Sequence, residues 1–222
     1  MNINEIISKP LMSDSEVKRV EIFVLHHSIK KDTKICLESI IEHTDWPYKL
    51  TVISTSDYPR GVLAKIYNKL LSESTCDYVA FVCSDSKFTG PWLKKLISHV
   101  SPEDGNKIVC AIPLVGHSVN KELNLKRDSG VHKIRAEAIS ISVSLFRKKA
   151  ITMLGGFNEM FYLYGHDVDL LVRLEKLGAE FVMDTSVFVD HKVGGTTKIL
   201  FTKEEIDEID EYTKRVYTLK NY

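Results

Sequence analysis

The chain lacks net charge, long apolar runs and closely spaced cysteines. Its 222 residues carry 30 basic and 30 acidic side chains, so the formal net charge is zero. A chain without net positive charge is not attracted as a whole to nucleic acid or to an anionic membrane, so we expect no nucleic-acid partner. No apolar run approaches the roughly 20 residues that cross a bilayer, so we expect no transmembrane segment. Residues 1–18 are polar and unlike a signal peptide, which favours a cytoplasmic protein or one bound peripherally to a membrane.

The four cysteines are scattered, and none forms a Cys-x-x-Cys pair. This spacing argues against a disulfide framework and predicts reduced, mostly buried thiols. The sequence also has no internal repeat, no low-complexity segment and no obvious linker. We therefore expect an N-terminal arm at 1–18, one domain at 19–200, and a C-terminal helix at 201–222 that packs on this domain.

Strand-like and helix-like segments alternate over the first half of the chain. Apolar runs predict strands at 20–25, 48–54, 77–83 and 107–112. Apolar residues at helical spacing predict helices at 33–43, 60–72 and 91–100. This alternation predicts an α/β fold with a Rossmann-like, mostly parallel central sheet flanked by helices, and a ligand-binding edge at the carboxyl ends of the strands.

The second half of the chain has weaker patterns. Segment 113–138 shows no clear periodicity, which is typical of a functional or disordered loop. After it we predict strands at 139–146, 179–183 and 187–189, and helices at 147–154 and 167–177. Thr202 and Glu205 have the spacing of a capping box and predict the start of the last helix.

The most unusual residues lie between 155 and 195. The sequence reads Gly155-Gly156-Phe157-Asn158-Glu159, then Phe161-Tyr162-Leu163-Tyr164-Gly165-His166-Asp167-Val168-Asp169, and later His191 before Gly194-Gly195. This pattern resembles the C-terminal half of the catalytic domain of GT-A fold glycosyltransferases, especially the family 2 inverting enzymes of the rhamnosyltransferase type. The resemblance includes Arg173 and extends more weakly back to about Val20.

The resemblance implies an inverting glycosyltransferase that moves a sugar from a nucleotide-diphospho-sugar to an acceptor hydroxyl. The acceptor would be a glycan, a lipid-linked glycan or a protein, as in polysaccharide biosynthesis. A Mn²⁺ or Mg²⁺ ion would neutralise the departing diphosphate. Matched onto this chain, Asp85 and His191 are the metal ligands and Asp167 is the general base. Structural roles compete with each: a turn cap for Asp85, support of a strand for His191, and a favourable helix N-terminal acid for Asp167.

The positions expected to bind donor or acceptor are His26, Ser54, Asp57, Asn68, Gly155, Gly156, Glu159, His166, Gly194 and Gly195. Of these, His26, Ser54 and Asp57 stand where the family has other residues. Gly194 and Gly195 would offer backbone amides to phosphate. His166 replaces a glutamate of the family pattern, and it either binds acceptor, tunes the pKa of Asp167 or marks a lost activity. Tyr162 and Tyr164 either form an apolar platform for a sugar face or pack in the core.

Other departures from the family pattern leave a second hypothesis open. Serines flank Asp85 on both sides, at Ser84 and Ser86, where the family has a richer acidic motif. A catalytically inactive protein of the same fold, which binds a nucleotide sugar or assists assembly, is therefore the alternative. A sugar nucleotidyltransferase is disfavoured, because no glycine- and lysine-rich loop follows the first strand. Asp169 and Arg173, four residues apart on a predicted helix, predict a structural ion pair.

Overall fold

One sheet of eight strands lies at the centre of the part of the chain that the structure describes. The computed structural model describes residues 19–28, 31–100, 106–116, 125–191 and 197–219, so the predicted arm at 1–18 lies outside the described residues. The strands are β1 (Val20–His26), β2 (Tyr48–Ser54), β3 (Tyr78–Cys83), β4 (Ser86–Phe88), β5 (Ile108–Gly116), β6 (Val131–Ile134), β7 (Val143–Arg147) and β8 (Glu180–His191). The helices are α1 (Lys31–His43), α2 (Leu63–Glu73), α3 (Leu93–Val100), α4 (Lys148–Met153), α5 (His166–Lys176), α6 (Thr197–Leu200) and α7 (Lys203–Leu219).

The strand order is β2-β1-β3-β7-β5-β8-β4, and β6 pairs with β8 outside this path. Strands β1, β2, β3, β5 and β8 run in one direction, while β4, β6 and β7 run against them. The predicted α/β fold with a mostly parallel central sheet is therefore confirmed. The antiparallel β7, inserted between β3 and β5, was not predicted from the alternation of strands and helices.

Helices cover both faces of the sheet. One apolar cluster packs the sheet against α1 and α3, through residues such as Leu37 and Trp92. A second cluster packs the opposite face against α2, α4 and α5, through residues such as Phe81 and Leu170. A strand covered on both faces must be apolar on both, and this explains the nearly continuous apolar run of β3.

Strand β8 corrects one sequence prediction. The sequence predicts two strands, at 179–183 and 187–189, because a polar segment separates the apolar runs; the structure has one strand, Glu180–His191. The pairing register with β5 slips after Asp184, which marks a bulge. The polar side chains in the bulge find partners: Asp184 lies 2.9 Å from His99, and the Thr185 hydroxyl donates to the Gly130 carbonyl oxygen at 2.8 Å. The chain therefore continues as a strand without burying unpaired polar groups.

The C-terminal helix α7 packs on the domain near the carboxyl ends of the strands. The predicted capping box is present: the Thr202 backbone N–H donates to Glu205 at 2.8 Å, and the Glu205 backbone N–H donates to the Thr202 hydroxyl at 3.2 Å. The Tyr217 hydroxyl donates to the Gly165 carbonyl oxygen at 2.8 Å, which ties α7 to the start of α5. Among the described helices, none is both long enough and apolar enough to cross a bilayer.

Candidate active site

A cleft of about 460 Å³ opens at the carboxyl ends of β1 and β3. In open sheets of parallel strands, ligands bind at this edge because the loops diverge there. The strands and loops bring several polar side chains to its wall: His26, His27, Thr55, Arg60, Ser84, Asp85 and His191. The cleft therefore combines apolar and polar side chains, as expected of a site for a small molecule.

Asp85 and His191 meet at this edge although they are far apart in sequence. Strand β4 pairs antiparallel with the end of β8, which places Ser86 opposite His191. Asp85 directly precedes Ser86, and its Oδ1 lies 3.1 Å from His191 Nε2. The two side chains are 19% and 13% exposed, so both remain accessible from the cleft. The two residues matched as metal ligands are therefore neighbours in the structure.

The donor atoms around Asp85 fit a divalent cation. A carboxylate oxygen and an imidazole nitrogen suit Mn²⁺, and this pair leaves further coordination positions for phosphate oxygens and water. The Cys83 thiol also lies nearby, because its sulfur and the ligand atoms of Asp85 and His191 are all within 4.8 Å of one another. Burial, and then the charges of Asp85 and Asp167, raise the pKa of the Cys83 thiol to about 12. In the absence of a cation this thiol is therefore protonated at neutral pH.

Asp167 lies in the first turn of α5, half-buried. The backbone N–H of Val168 donates to its Oδ1 at 3.0 Å. The pKa of the Tyr67 hydroxyl is raised, chiefly by burial, then by the charge of Cys83 and then by that of Asp167. Tyr67 and Cys83 both line the cleft, whereas Asp167 itself is not among the lining side chains. Asp167 therefore lies near two residues of the cleft wall but does not itself line the cleft.

His166 lies in the core. It is 5% exposed, and its ring packs against Tyr67 and Phe157 at centroid distances of 5.9 and 5.8 Å. Burial lowers its pKa, although the neighbouring Asp167 and Asp169 oppose this effect. The Nδ1 atom is buried without a hydrogen-bond partner. The structure thus places a neutral imidazole behind Asp167, away from the cleft surface.

Asn68 fixes the turn that contains the glycine pair. Its Nδ2 donates to the Phe157 carbonyl oxygen and to Glu159, both at 2.9 Å, and its Oδ1 accepts from the Phe157 backbone N–H at 2.8 Å. Gly155 and Gly156 have φ values of +76° and +86° and close the end of α4. A Cβ on Gly156 would collide with Asn68 Oδ1, whereas a Cβ on Gly155 would meet open space. The Asn68 amide is thereby occupied within the protein.

The remaining predicted positions fall in different places. His26 lines the cleft, and its pKa is lowered by burial, although the nearby Asp57 opposes this. Ser54 accepts a hydrogen bond from the Ser56 backbone N–H at 3.3 Å and caps a short 3-10 turn (Thr55–Asp57). Neither Ser54 nor Asp57 lines the cleft. Gly194 and Gly195 lie outside the described residues.

A second cavity of about 650 Å³ adjoins the cleft. Both are bordered by Gly61, Val62 and Phe201. Its walls come from α2, the loop after Glu159 and helix α7, with polar side chains Lys65, Glu159, Glu205, Glu208 and Tyr212 and apolar side chains Met160, Phe161, Tyr162 and Ile209. Sequence reasoning missed this cavity, because nothing in the sequence of α7 indicates where the helix packs.

The predicted ion pair of Asp169 and Arg173 is confirmed. Arg173 Nε donates to Asp169 Oδ2 at 2.8 Å, and the Asp169 side chain is fully buried. The same guanidinium donates to the carbonyl oxygens of Leu154 and Gly156 at 3.1 and 2.8 Å. It therefore braces the glycine turn against α5, and Asp169 has a structural role.

Comparison with models of known protein families finds no match, and no curated protein matches the chain. Among solved structures, the chain is similar to a crystal structure of GalNAc-T7 with UDP, GalNAc and Mn²⁺, with a TM-score of 0.59 and 10% sequence identity. The alignment covers 80% of this chain and 44% of that one, so the chain spans less than half the length of its structural neighbour. The fold is GT-A. At this identity the likeness establishes the fold alone.

Proposed function

We propose that the protein is a metal-dependent glycosyltransferase that uses a nucleotide-diphospho-sugar donor. The observation that carries this proposal is the pairing of Asp85 with His191, 3.1 Å apart at the mouth of a cleft at the carboxyl ends of the strands. A structure of the same fold was solved with UDP, GalNAc and Mn²⁺, which supports a nucleotide sugar as the ligand class here.

Asp85 and His191 would hold the cation where both side chains line the cleft. When bound, a divalent ion neutralises the charge that develops on the departing diphosphate. Arg60 adds a positive group to the cleft lining, and its guanidinium pairs with Glu205 at 3.2 Å and donates to the Leu200 carbonyl oxygen at 2.8 Å. This side chain is placed to share a phosphate charge while holding the start of α7.

We propose Asp167 as the general base of an inverting transfer of the family 2, rhamnosyltransferase-like type. A carboxylate can accept the acceptor's hydroxyl proton within about 2.6–3.2 Å of it. Its place in the first turn of α5 supports this role, because its negative charge contributes to the raised pKa of Tyr67 and of Cys83, two residues that line the cleft.

The second cavity would receive the acceptor. Glu159, Glu205 and Glu208 offer carboxylate oxygens to hydroxyl groups, and the partly exposed rings of Tyr162 and Tyr212 offer apolar faces. Carbohydrates combine both kinds of surface, so a glycan or the glycan part of a lipid-linked acceptor fits this lining. The shared border at Gly61 and Phe201 would bring an acceptor hydroxyl beside the donor sugar.

Nucleotide binding tests the donor site directly. We would titrate the protein with UDP, GDP, TDP and CMP by calorimetry, each with Mn²⁺ and with a chelator. The proposal expects one diphosphate to bind in a Mn²⁺-dependent way, and Asp85→Asn to remove this dependence. Asp190→Asn is the matched control, because this neighbouring carboxylate is exposed and should leave binding unchanged. Equal binding with and without Mn²⁺ in the unmodified protein would reject the metal role.

Turnover tests Asp167. We expect Asp167→Asn to abolish sugar transfer and to leave diphosphate binding within about twofold, because the base acts on the acceptor rather than on the donor. Unchanged turnover in this variant would remove Asp167 from the mechanism.

An inactive nucleotide-sugar-binding protein of the same fold is the second candidate. The burial of His166 and the absence of Asp167 from the described cleft lining favour it, because no carboxylate of this turn directly faces the cleft. Mn²⁺-dependent binding of a donor panel without any release of nucleoside diphosphate would support this candidate over the enzyme.

A further inference from the structure

We infer that Cys83 is a third ligand in the cation site, and that this site binds thiophilic ions such as Zn²⁺ more tightly than Mn²⁺. The inference rests on the proposed function only in taking Asp85 and His191 as the cation site. It adds a sulfur ligand, and with it a preference among cations that a carboxylate and an imidazole alone do not give.

The three ligand atoms already lie close together. Cys83 Sγ, a carboxylate oxygen of Asp85 and a ring nitrogen of His191 are all within 4.8 Å of one another, and the oxygen and nitrogen are 3.1 Å apart. In a tetrahedral zinc site with ordinary bond lengths, neighbouring ligand atoms are about 3.3–3.6 Å apart. The sulfur therefore has to move by only about an ångström, which a side-chain rotation supplies.

The backbone holds this arrangement in place. Cys83 is the last residue of β3, and Asp85 follows two residues later, just before β4. The pairing of Ser86 with His191 fixes the end of β8 against this turn. The end of β3, the turn before β4 and the end of β8 thus bring one sulfur, one oxygen and one nitrogen within 4.8 Å of one another.

Cys83 also differs from the other cysteines in its exposure. All four cysteines are free; Cys36, Cys76 and Cys110 are buried, while Cys83 is partly exposed and lines the cleft. It is therefore the thiol that an ion entering from the cleft would meet.

Ligation by Cys83 changes the charge of the site. As the metal–sulfur bond forms, the thiol proton leaves to solvent, and His191 binds through Nε2 with its proton on Nδ1. A divalent ion held by the Cys83 thiolate and the Asp85 carboxylate has a net charge of zero, whereas an ion held by Asp85 and His191 beside a neutral thiol has a net charge of +1. The thiolate-bound ion therefore attracts a diphosphate less, and we expect Zn²⁺ to compete with Mn²⁺ and to weaken diphosphate binding.

Cobalt spectroscopy tests the sulfur ligand without relying on activity. Co²⁺ added to the full chain should give both ligand-field bands and a near-ultraviolet charge-transfer band that requires a thiolate. Cys83→Ser should lose the charge-transfer band, and Cys76→Ser, which alters a buried thiol outside the site, should keep it.

Calorimetry gives the size of the effect. We expect Cys83→Ser to weaken Zn²⁺ binding by at least about tenfold and to change Mn²⁺ binding by less than about threefold, since Mn²⁺ prefers oxygen ligands. Two results would overturn the inference and still leave Asp85 and His191 as a cation site. One is a Co²⁺ spectrum of the unmodified protein with ligand-field bands but no charge-transfer band. The other is an equal loss of affinity for Zn²⁺ and Mn²⁺ in Cys83→Ser. Failure of Mn²⁺, Co²⁺ and Zn²⁺ to bind the unmodified protein would reject both this inference and the metal role of the proposed function.

Discussion

Asn68 and Gly156 should be strongly coupled in stability. Asn68→Ala removes two hydrogen bonds to the Phe157 backbone and leaves that buried backbone unpaired, which should cost about 2–3 kcal/mol. Gly156→Ala imposes a positive φ of +86° on a residue with a Cβ, at about 1–2 kcal/mol. Its Cβ also displaces the Asn68 amide, so we expect a total cost of about 3–5 kcal/mol.

In the double variant the same hydrogen bonds cannot be lost twice. The sum of the single effects should therefore exceed the double effect by about 2 kcal/mol, measured as the free energy of unfolding in urea. Gly155→Ala is the matched control: its φ of +76° gives similar backbone strain, but its Cβ meets open space, so its effect should add to that of Asn68→Ala. Additive effects at Gly156, or coupling as large at Gly155, would refute the reasoning.

Two further predictions concern buried carboxylates. Asp169→Asn leaves the Arg173 guanidinium without its charged partner and should cost about 3 kcal/mol in urea unfolding, whereas Glu211→Gln, in an exposed pair, should give no measurable change. A small effect at Asp169 would contradict the bracing role. Burial acts to raise the pKa of Asp184, but hydrogen bonds from His99 and Ser186 outweigh it, and the folded-state pKa lies below the usual 3.8. The stability that Asp184 contributes is therefore complete above pH 3.8 and is lost as the pH falls through the lower folded-state pKa. We expect Asp184→Asn to lower the free energy of unfolding at pH 7 by about 1 kcal/mol. The same variant should flatten the acid side of the pH–stability profile. An unchanged acid limb in this variant would show that the hydrogen bonds do not favour the charged form.

Local patterns were sufficient for the long elements of the fold. Strand β2 occupies Tyr48–Ser54 as predicted, and the helix predicted at 91–100 is found at Leu93–Val100. These segments carry their signal in their own side chains, because apolar residues recur with the period of the element that buries them. The overall class, α/β with a mostly parallel sheet, follows from the order of such segments.

Short strands that depend on a partner were missed. Strand β4 has three residues and is held by its pairing with Val189–His191, while β6 (Val131–Ile134) is partly exposed and pairs with residues 181–184 of β8, before the bulge. Neither has enough residues to show a period, and their backbone hydrogen bonds exist only when the distant strand is in place. The antiparallel placement of β7 between β3 and β5 was not predicted either, because it also depends on pairing with strands that are distant in sequence.

The candidate site was likewise predicted in part and missed in part. The resemblance to GT-A glycosyltransferases identified Asp85, Asp167 and His191 as candidates, and the structure brings Asp85 and His191 into contact. Sequence reasoning missed Cys83 as a neighbour of this pair; its position two residues before Asp85, at the end of the same predicted strand, was the available signal.

The sequence by itself determined the class of the fold, its longest elements and the chemical groups available to a site, because each of these depends on side chains close together along the chain. The tertiary structure decided which groups meet. The pairing of β4 with β8 joins Asp85 to His191, packing buries His166, and the docking of α7 creates the second cavity. These outcomes depend on contacts between residues far apart in sequence, whose geometry exists only after the chain has folded.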